Sequence, residues 1–179
     1  MKKIIIVLVI PILFVILFLA FIESIGPSVN KNVSVAQVNG VGIQKQAYEK
    51  KVQESETFFK WQKQDTAGLT TLQKDAVDAL VDESLINQYA TQHKISVSES
   101  EVNERYLQTV AGYNRRSNIA GTEDTDFLAK IKEMYGIEKS DYLLTLKEDI
   151  VKERVQVDVG IPLAQWILEQ KKSAKIKIF

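Results

Sequence analysis

The chain has 179 residues, with 23 basic and 23 acidic side chains, one histidine and no cysteine. A neutral balance gives no electrostatic case for nucleic acid, which would need a basic patch standing out from it. Without cysteine there can be no disulfide, thiolate metal site, cysteine nucleophile or lipidated N-terminal Cys, and a single imidazole leaves zinc with too few soft ligands.

Ile4 to Ile22 is a run of 19 residues, all apolar with Pro11 among them. As a helix it would span roughly 28 Å at about 1.5 Å per residue, close to a hydrocarbon core of about 30 Å. Lys2 and Lys3 precede it and no acid interrupts it, so the positive-inside rule keeps the N-terminus in the cytoplasm and sends the rest across. Pro11 is tolerable in a membrane helix. The run exceeds the apolar core of a signal peptide, and Pro27 behind Ser24-Ile25-Gly26 opposes cleavage there. The expectation is therefore a retained anchor over 1–23 and a polar linker over 24–32, followed by one domain over 33–179. That domain divides into core helices over 33–155 and a C-terminal helix and strand over 162–179.

Val33 to Val38 reads as a strand, and Asn39-Gly40 ahead of the short run Val41 to Ile43 is a strong hairpin signal. A helix is expected over about 44–64, with Tyr48, Val52, Ser55 and Phe59 on one stripe and Trp61 nearly opposite. Asp65 to Leu69 breaks it. A longer helix over about 70–93 carries Leu72, Ala76, Ala79, Ile86 and Ala90 on one face and Val77, Val81 and Leu85 on another, the pattern of a helix sandwiched in a bundle. Ser98 and Glu101 have capping-box spacing. The helix they open places Val102, Tyr106 and Val110 inward and is expected to stop near Gly112. Tyr113 to Asp124 reads as a polar loop.

Phe127, Leu128, Ile131, Met134 and Tyr135 form a stripe ended by Gly136. A helix over about 139–156 has Tyr142, Leu143, Leu146 and Ile150 on one side and Leu144, Val151 and Val155 on the other. "VDVGIP" interrupts, and a last helix holds Leu163, Ile167 and Leu168 with Trp166 at its flank. In AKIKIF, residues alternate with strand periodicity. Ala174 to Phe179 is expected to pair with Val33 to Val38, making the fold mainly α with a small sheet built from the N-terminal hairpin and the C-terminal strand.

No catalytic or metal constellation emerges, and no cofactor is expected. His93 sits where a last-turn imidazole suits the negative end of a helix dipole, and no G-x-S-x-G elbow accompanies it. Asp75, Asp78 and Asp82 read as a solvated face. Glu123, Asp124 and Asp126 lack the spacing of an EF-hand loop, and no glycine-rich phosphate loop is present. Asn32-Val33-Ser34 is a three-residue sequon match only. The remaining signal is aromatic. Phe58, Trp61, Tyr106, Tyr113 and Trp166 are candidates for an apolar groove that holds extended polypeptide, although Tyr106 also lies on an inward stripe. The alternative is that each packs against a neighbouring helix.

"VNGVGIQKQAYEKKV" resembles the opening of SurA-type chaperones and of PrsA-like and PpiD-like foldases. "ALVDESLINQYATQHKISVSESEVNERY" resembles their next block, and "WILEQKKSAKIKIF" their final helix and strand. The resemblance implies a SurA N-terminal-like chaperone domain. Lys94 departs from it, standing where the family often has Gly. Many relatives also carry a parvulin prolyl-isomerase domain before the final helix, where only the seven residues Gln156 to Pro162 stand here. The resemblance thus implies a folding chaperone and not an enzyme, with unfolded or extended client polypeptides as partners; together with the anchor expected over 1–23, the expectation is a membrane-anchored extracytoplasmic chaperone, with a homodimer left open. The alternative from another class is a tethered scaffold docking one folded partner, and a peptidyl-prolyl isomerase is the weaker third reading.

Overall fold

In the computed structural model, β1 (Ser34–Val38) and β2 (Val41–Gln44) form the expected hairpin. Asn39 (φ 52°) and Gly40 (φ 90°) both occupy positive φ, the conformation a two-residue hairpin turn requires and one that Asn and Gly adopt most cheaply. The structure describes residues 33–63, 69–117 and 123–179. The expected anchor, the linker, and parts of the Asp65–Leu69 and Tyr113–Asp124 breaks lie outside those residues. Among the described residues no helix is long and apolar enough to cross a membrane.

The third strand, β3 (Ile176–Ile178), pairs antiparallel with β1 through Val38–Ile176, Gln37–Lys177 and Ala36–Ile178, giving the order β2-β1-β3. Two further backbone bonds extend the pairing: Asn39 N–H donates to Lys175 O at 3.0 Å, and Phe179 N–H donates to Val35 O at 3.0 Å. AKIKIF and VSVAQV therefore meet as expected. A bulge between Ser34 and Ala36 sets the far end of the hairpin.

Six helices follow the hairpin among the described residues: α1 (Lys45–Trp61), α2 (Leu69–Gln92), α3 (Glu99–Arg116), α4 (Thr125–Tyr135), α5 (Lys139–Val159) and α6 (Leu163–Ser173). The core has three parts. Ala36, Val38 and Ile43 on the inner face of the sheet pack on Val81 and Leu85 of α2. The other face of α2 sends Ile86 and Ala90 against Val155 of α5 and Trp166 of α6. Val102, Tyr106 and Val110 of α3 pack with Phe127 and Ile131 of α4 and with Leu146 and Ile150 of α5. The two helices that read as apolar on two sides, α2 and α5, are thus the ones that join separate core clusters. Each large side chain buried this way is worth roughly 1.5–3 kcal/mol.

Several boundaries differ from the sequence reading. Gly112 does not stop α3, which continues to Arg116. A glycine inside a helix costs only about 1 kcal/mol. Here the following turn is held by Tyr113, whose ring meets Phe127 at 5.5 Å, and by buried Asn114, which donates to Glu123 O at 3.0 Å. Val102, Tyr106, Val110 and Asn114 are four residues apart, so the stripe continues through the predicted stop. Helix α5 runs to Val159 and ends at Gly160 (φ 69°), beyond the predicted interruption. Val159 packs on the Val155–Trp166 cluster, and that packing overrides the weak helix propensity of the valines. Leu144, placed on an apolar side, is 56% exposed, as is Leu168 at 62%, whereas Trp166 is the buried residue of α6.

Two local signals hold as read. Ser98 accepts from Glu101 N–H while Glu101 accepts from Ser98 N–H at 2.9 Å, a complete capping box. Gly136 ends α4 at φ 72°. Lys94, the residue that replaces a glycine, sits at φ 57°. Ile95 N–H donates to Ala90 O and Lys94 N–H to Thr91 O, the Schellman pattern that favours glycine at this place.

Candidate functional site

Reactive groups are spent on structural ties. His93 Nδ1 lies 3.0 Å from Asp158 Oδ2, the same oxygen that accepts from Tyr89 Oη at 2.8 Å. The Tyr89 and His93 rings stack at 3.8 Å, so this cluster links the end of α2 to the end of α5. Asp75 and Asp78 are exposed, and Asp82 pairs with Lys171. Among the described residues no group of three His, Asp or Glu side chains is arranged to hold a metal ion.

The five aromatic candidates do not converge on one crevice. Tyr106 is 2% exposed and Trp166 6% exposed, so both belong to the core, which corrects their placement in a groove. Tyr106 meets Phe127 and Tyr142 edge-on and donates its hydroxyl to Asp124; burial, then that bond, pushes its pKa up to about 12. Trp166 packs edge-on against Tyr89 at 5.0 Å. Tyr113 is half-buried on Phe127. Only Phe58 and Trp61 form a partly exposed pair, stacked at 5.8 Å, with Tyr135 of α4 stacked on Phe58 at 5.2 Å and Lys130 over Trp61 at 4.9 Å.

Open space lies elsewhere, along α2. One cleft of about 490 Å³ opens between α1, α2 and α5, and charged side chains make up half of its lining, beside apolar surface from Leu80, Ile137 and Leu144. In it Lys51 donates to Glu83 at 2.9 Å and Lys50 pairs with Asp141. Burial, helped by neighbouring carboxylates, raises the pKa of Glu148, and burial likewise raises that of Glu54. A second cleft of about 890 Å³ lies between β2 and α2. Val41, Ile43 and Leu80 supply its apolar surface, and Ser84, Asn87, Gln88, Thr91 and Gln92 supply hydroxyls and amides. The two clefts share Ala47, Leu80 and Glu83. They therefore form one trench whose chemistry changes at the Lys51–Glu83 pair.

The sequence reading missed this trench. Its one legible trace is the density of uncharged polar residues late in α2, from Ser84 to Gln92, beside a hairpin whose second strand carries no charge. Neither feature points to a site until the fold sets β2 beside α2.

A family model for the SurA-like N-terminal domain matches residues 1–118. No curated protein matches the chain. The matched stretch takes in the hairpin, α1, α2 and α3, including the sheet–α2 core and both walls of the second cleft. As that stretch covers more than half of the chain, the protein belongs to the SurA-like N-terminal domain family.

Proposed function

We propose that this protein is a membrane-anchored extracytoplasmic folding chaperone that binds unfolded or extended segments of exported polypeptides. The observation that carries this reading is the family match over residues 1–118, since SurA-type domains suggest a chaperone role and polypeptide clients. The apolar run from Ile4 to Ile22 behind Lys2 and Lys3 supports the anchor and its orientation. The trench along α2 supports client binding, because it offers apolar, amide and hydroxyl surface together. Binding draws on apolar burial at roughly 25 cal/mol per Å² and on hydrogen bonds, with no covalent step and no isomerase chemistry.

The test uses the full chain in nanodiscs. Aggregation of a reduced, alkylated unfolded protein is followed by light scattering with and without it. Suppression at near-stoichiometric ratios is expected, with prolyl isomerisation of a model peptide at background rate. The absence of both suppression and binding of unfolded protein would overturn the proposal. Co-purification of one stoichiometric folded partner would assign the chain to a scaffold instead.

A further inference from the structure

The two edges of the sheet are unlike. The β3 edge is guarded by the exposed side chains of Lys175 and Lys177, a common device against strand addition. The β2 edge, Val41 to Gln44, carries no charge at all. In a hairpin closed by a two-residue turn, Val38 and Val41 form the hydrogen-bonded pair that flanks the turn. Alternation along the ladder then turns the N–H and C=O of Gly42 away from β1. Among the described residues these two groups have no partner outside the sheet. They face the side of β2 on which the 890 Å³ cleft opens, where Gly42 adds no side chain to the rim.

We infer that the β2 edge is the client-docking site, and that an uncharged, extended polypeptide segment binds there as a fourth strand laid over α2. The backbone supplies the generic part of recognition. One set of alternate side chains points down onto Leu80, Ser84, Asn87 and Gln88, where an apolar or small polar residue finds a partner and a charged one finds none. The one carboxylate in this cleft, Glu83, is already neutralised by Lys51 at 2.9 Å. The charged cleft beyond it sets the end of the preferred segment. This inference rests on the chaperone reading and gives it a place and a specificity.

The probe is an end-capped nonapeptide of alternating threonine and valine, titrated onto the full chain in nanodiscs. Its counterpart is N-methylated through the five central residues, which removes backbone donors from both edges and keeps the side chains. Binding of the unmethylated peptide should slow amide exchange at Gly42, and methylation should weaken affinity about tenfold, the loss expected for one or two hydrogen bonds. Val41→Lys, at a 52% exposed position, should weaken binding by a similar factor, while Lys177→Ala leaves it unchanged. Circular dichroism checks that both variants keep their fold. If the peptide binds but Gly42 exchange and methylation are without effect, the docking site is overturned and the chaperone reading stands. If neither the peptide nor unfolded protein binds, both fall. If Gly42 is protected by a concentration-dependent dimer that Val41→Lys dissolves, the edge belongs to a second copy of this chain and the inference is likewise overturned.

Discussion

Replacing Asn39 by alanine should loosen the junction between the two ends of the domain. Asn39 holds φ 52°, and its side chain bonds in two directions: Nδ2 donates to Gln88 Oε1 at 3.1 Å, and Oδ1 accepts from Lys175 N–H at 2.9 Å. The left-handed conformation costs an alanine roughly 1 kcal/mol more than an asparagine or glycine. Each lost hydrogen bond costs about 0.5–1 kcal/mol, the low part of the usual range, because both are exposed. The sum is about 2–3 kcal/mol, or a fall in melting temperature of roughly 4–12 °C for a domain of this size. Asn39→Gly keeps the conformation and loses only the bonds, so it should cost about half as much. A double-mutant cycle with Gln88→Ala should return a coupling near 0.5 kcal/mol. Thermal unfolding followed by circular dichroism reads the stability, and amide exchange at Lys177 and Phe179 reads the sheet. If Asn39→Ala lies within about 0.5 kcal/mol of the native protein, or if glycine is as costly as alanine, the reasoning fails.

Three other outcomes follow from the same geometry. Lys94→Gly relieves a positive φ in a Schellman cap and should raise the melting temperature by about 2–4 °C, corresponding to about 1 kcal/mol; an unchanged or lower value refutes the strain argument. Glu101 is held at a pKa of about 2 by the backbone N–H of Ser98, then by the Ser98 hydroxyl and by Arg154, so its charged form favours the fold. That contribution is complete above the ordinary glutamate range and is lost as pH falls toward about 2. Glu101→Gln should therefore be less stable than the native protein at pH 7, with the gap closing in acid; parallel stability curves would exclude the linkage. Trp166→Ala should cost about 3–5 kcal/mol as a core truncation, whereas Trp61→Ala, at a partly exposed stack, should cost far less; equal losses in urea unfolding would contradict the placement of the two tryptophans.

Features that depend on a few neighbouring residues were legible. Asn39-Gly40, the Ser98–Glu101 box and Gly136 each solve a local backbone problem, and each appears where its chemistry demands. Strand alternation in AKIKIF is enough to place β3, and the matching alternation of Val33 to Val38 names its partner. Gly112 is a stop signal only by its local backbone freedom, which is outweighed where Asn114 and Tyr113 are held by α4 and the segment before it. Trp166 and Leu168 exchanged roles for a related reason: the buried face of α6 is chosen by α2 and α5, and a short helix rich in large side chains does not declare it. The trench was the least legible, since its walls come from β2 and α2, some 40 positions apart in sequence, and its chemistry lies partly in backbone groups that no residue type marks. Aromatic residues pointed to the core more often than to a surface.

The pairing of β1 with β3 also orders events in time. The bond from Lys175 N–H to Asn39 joins residues 136 positions apart, and closing a loop of that length costs roughly 4 kcal/mol of chain entropy. Until AKIKIF pairs, the Val81–Leu85 face of α2 can pack only on a two-stranded hairpin, which is marginal alone. A chain emerging from its N-terminus first therefore acquires its helices early and its sheet last. The inner strand β1 spends that interval with one edge unpaired, open to whatever extended chain is nearby. AKIKIF then acts as the step that commits the domain, and truncating it should leave a helical but slowly exchanging mixture of states, readable by pulse-labelled hydrogen exchange.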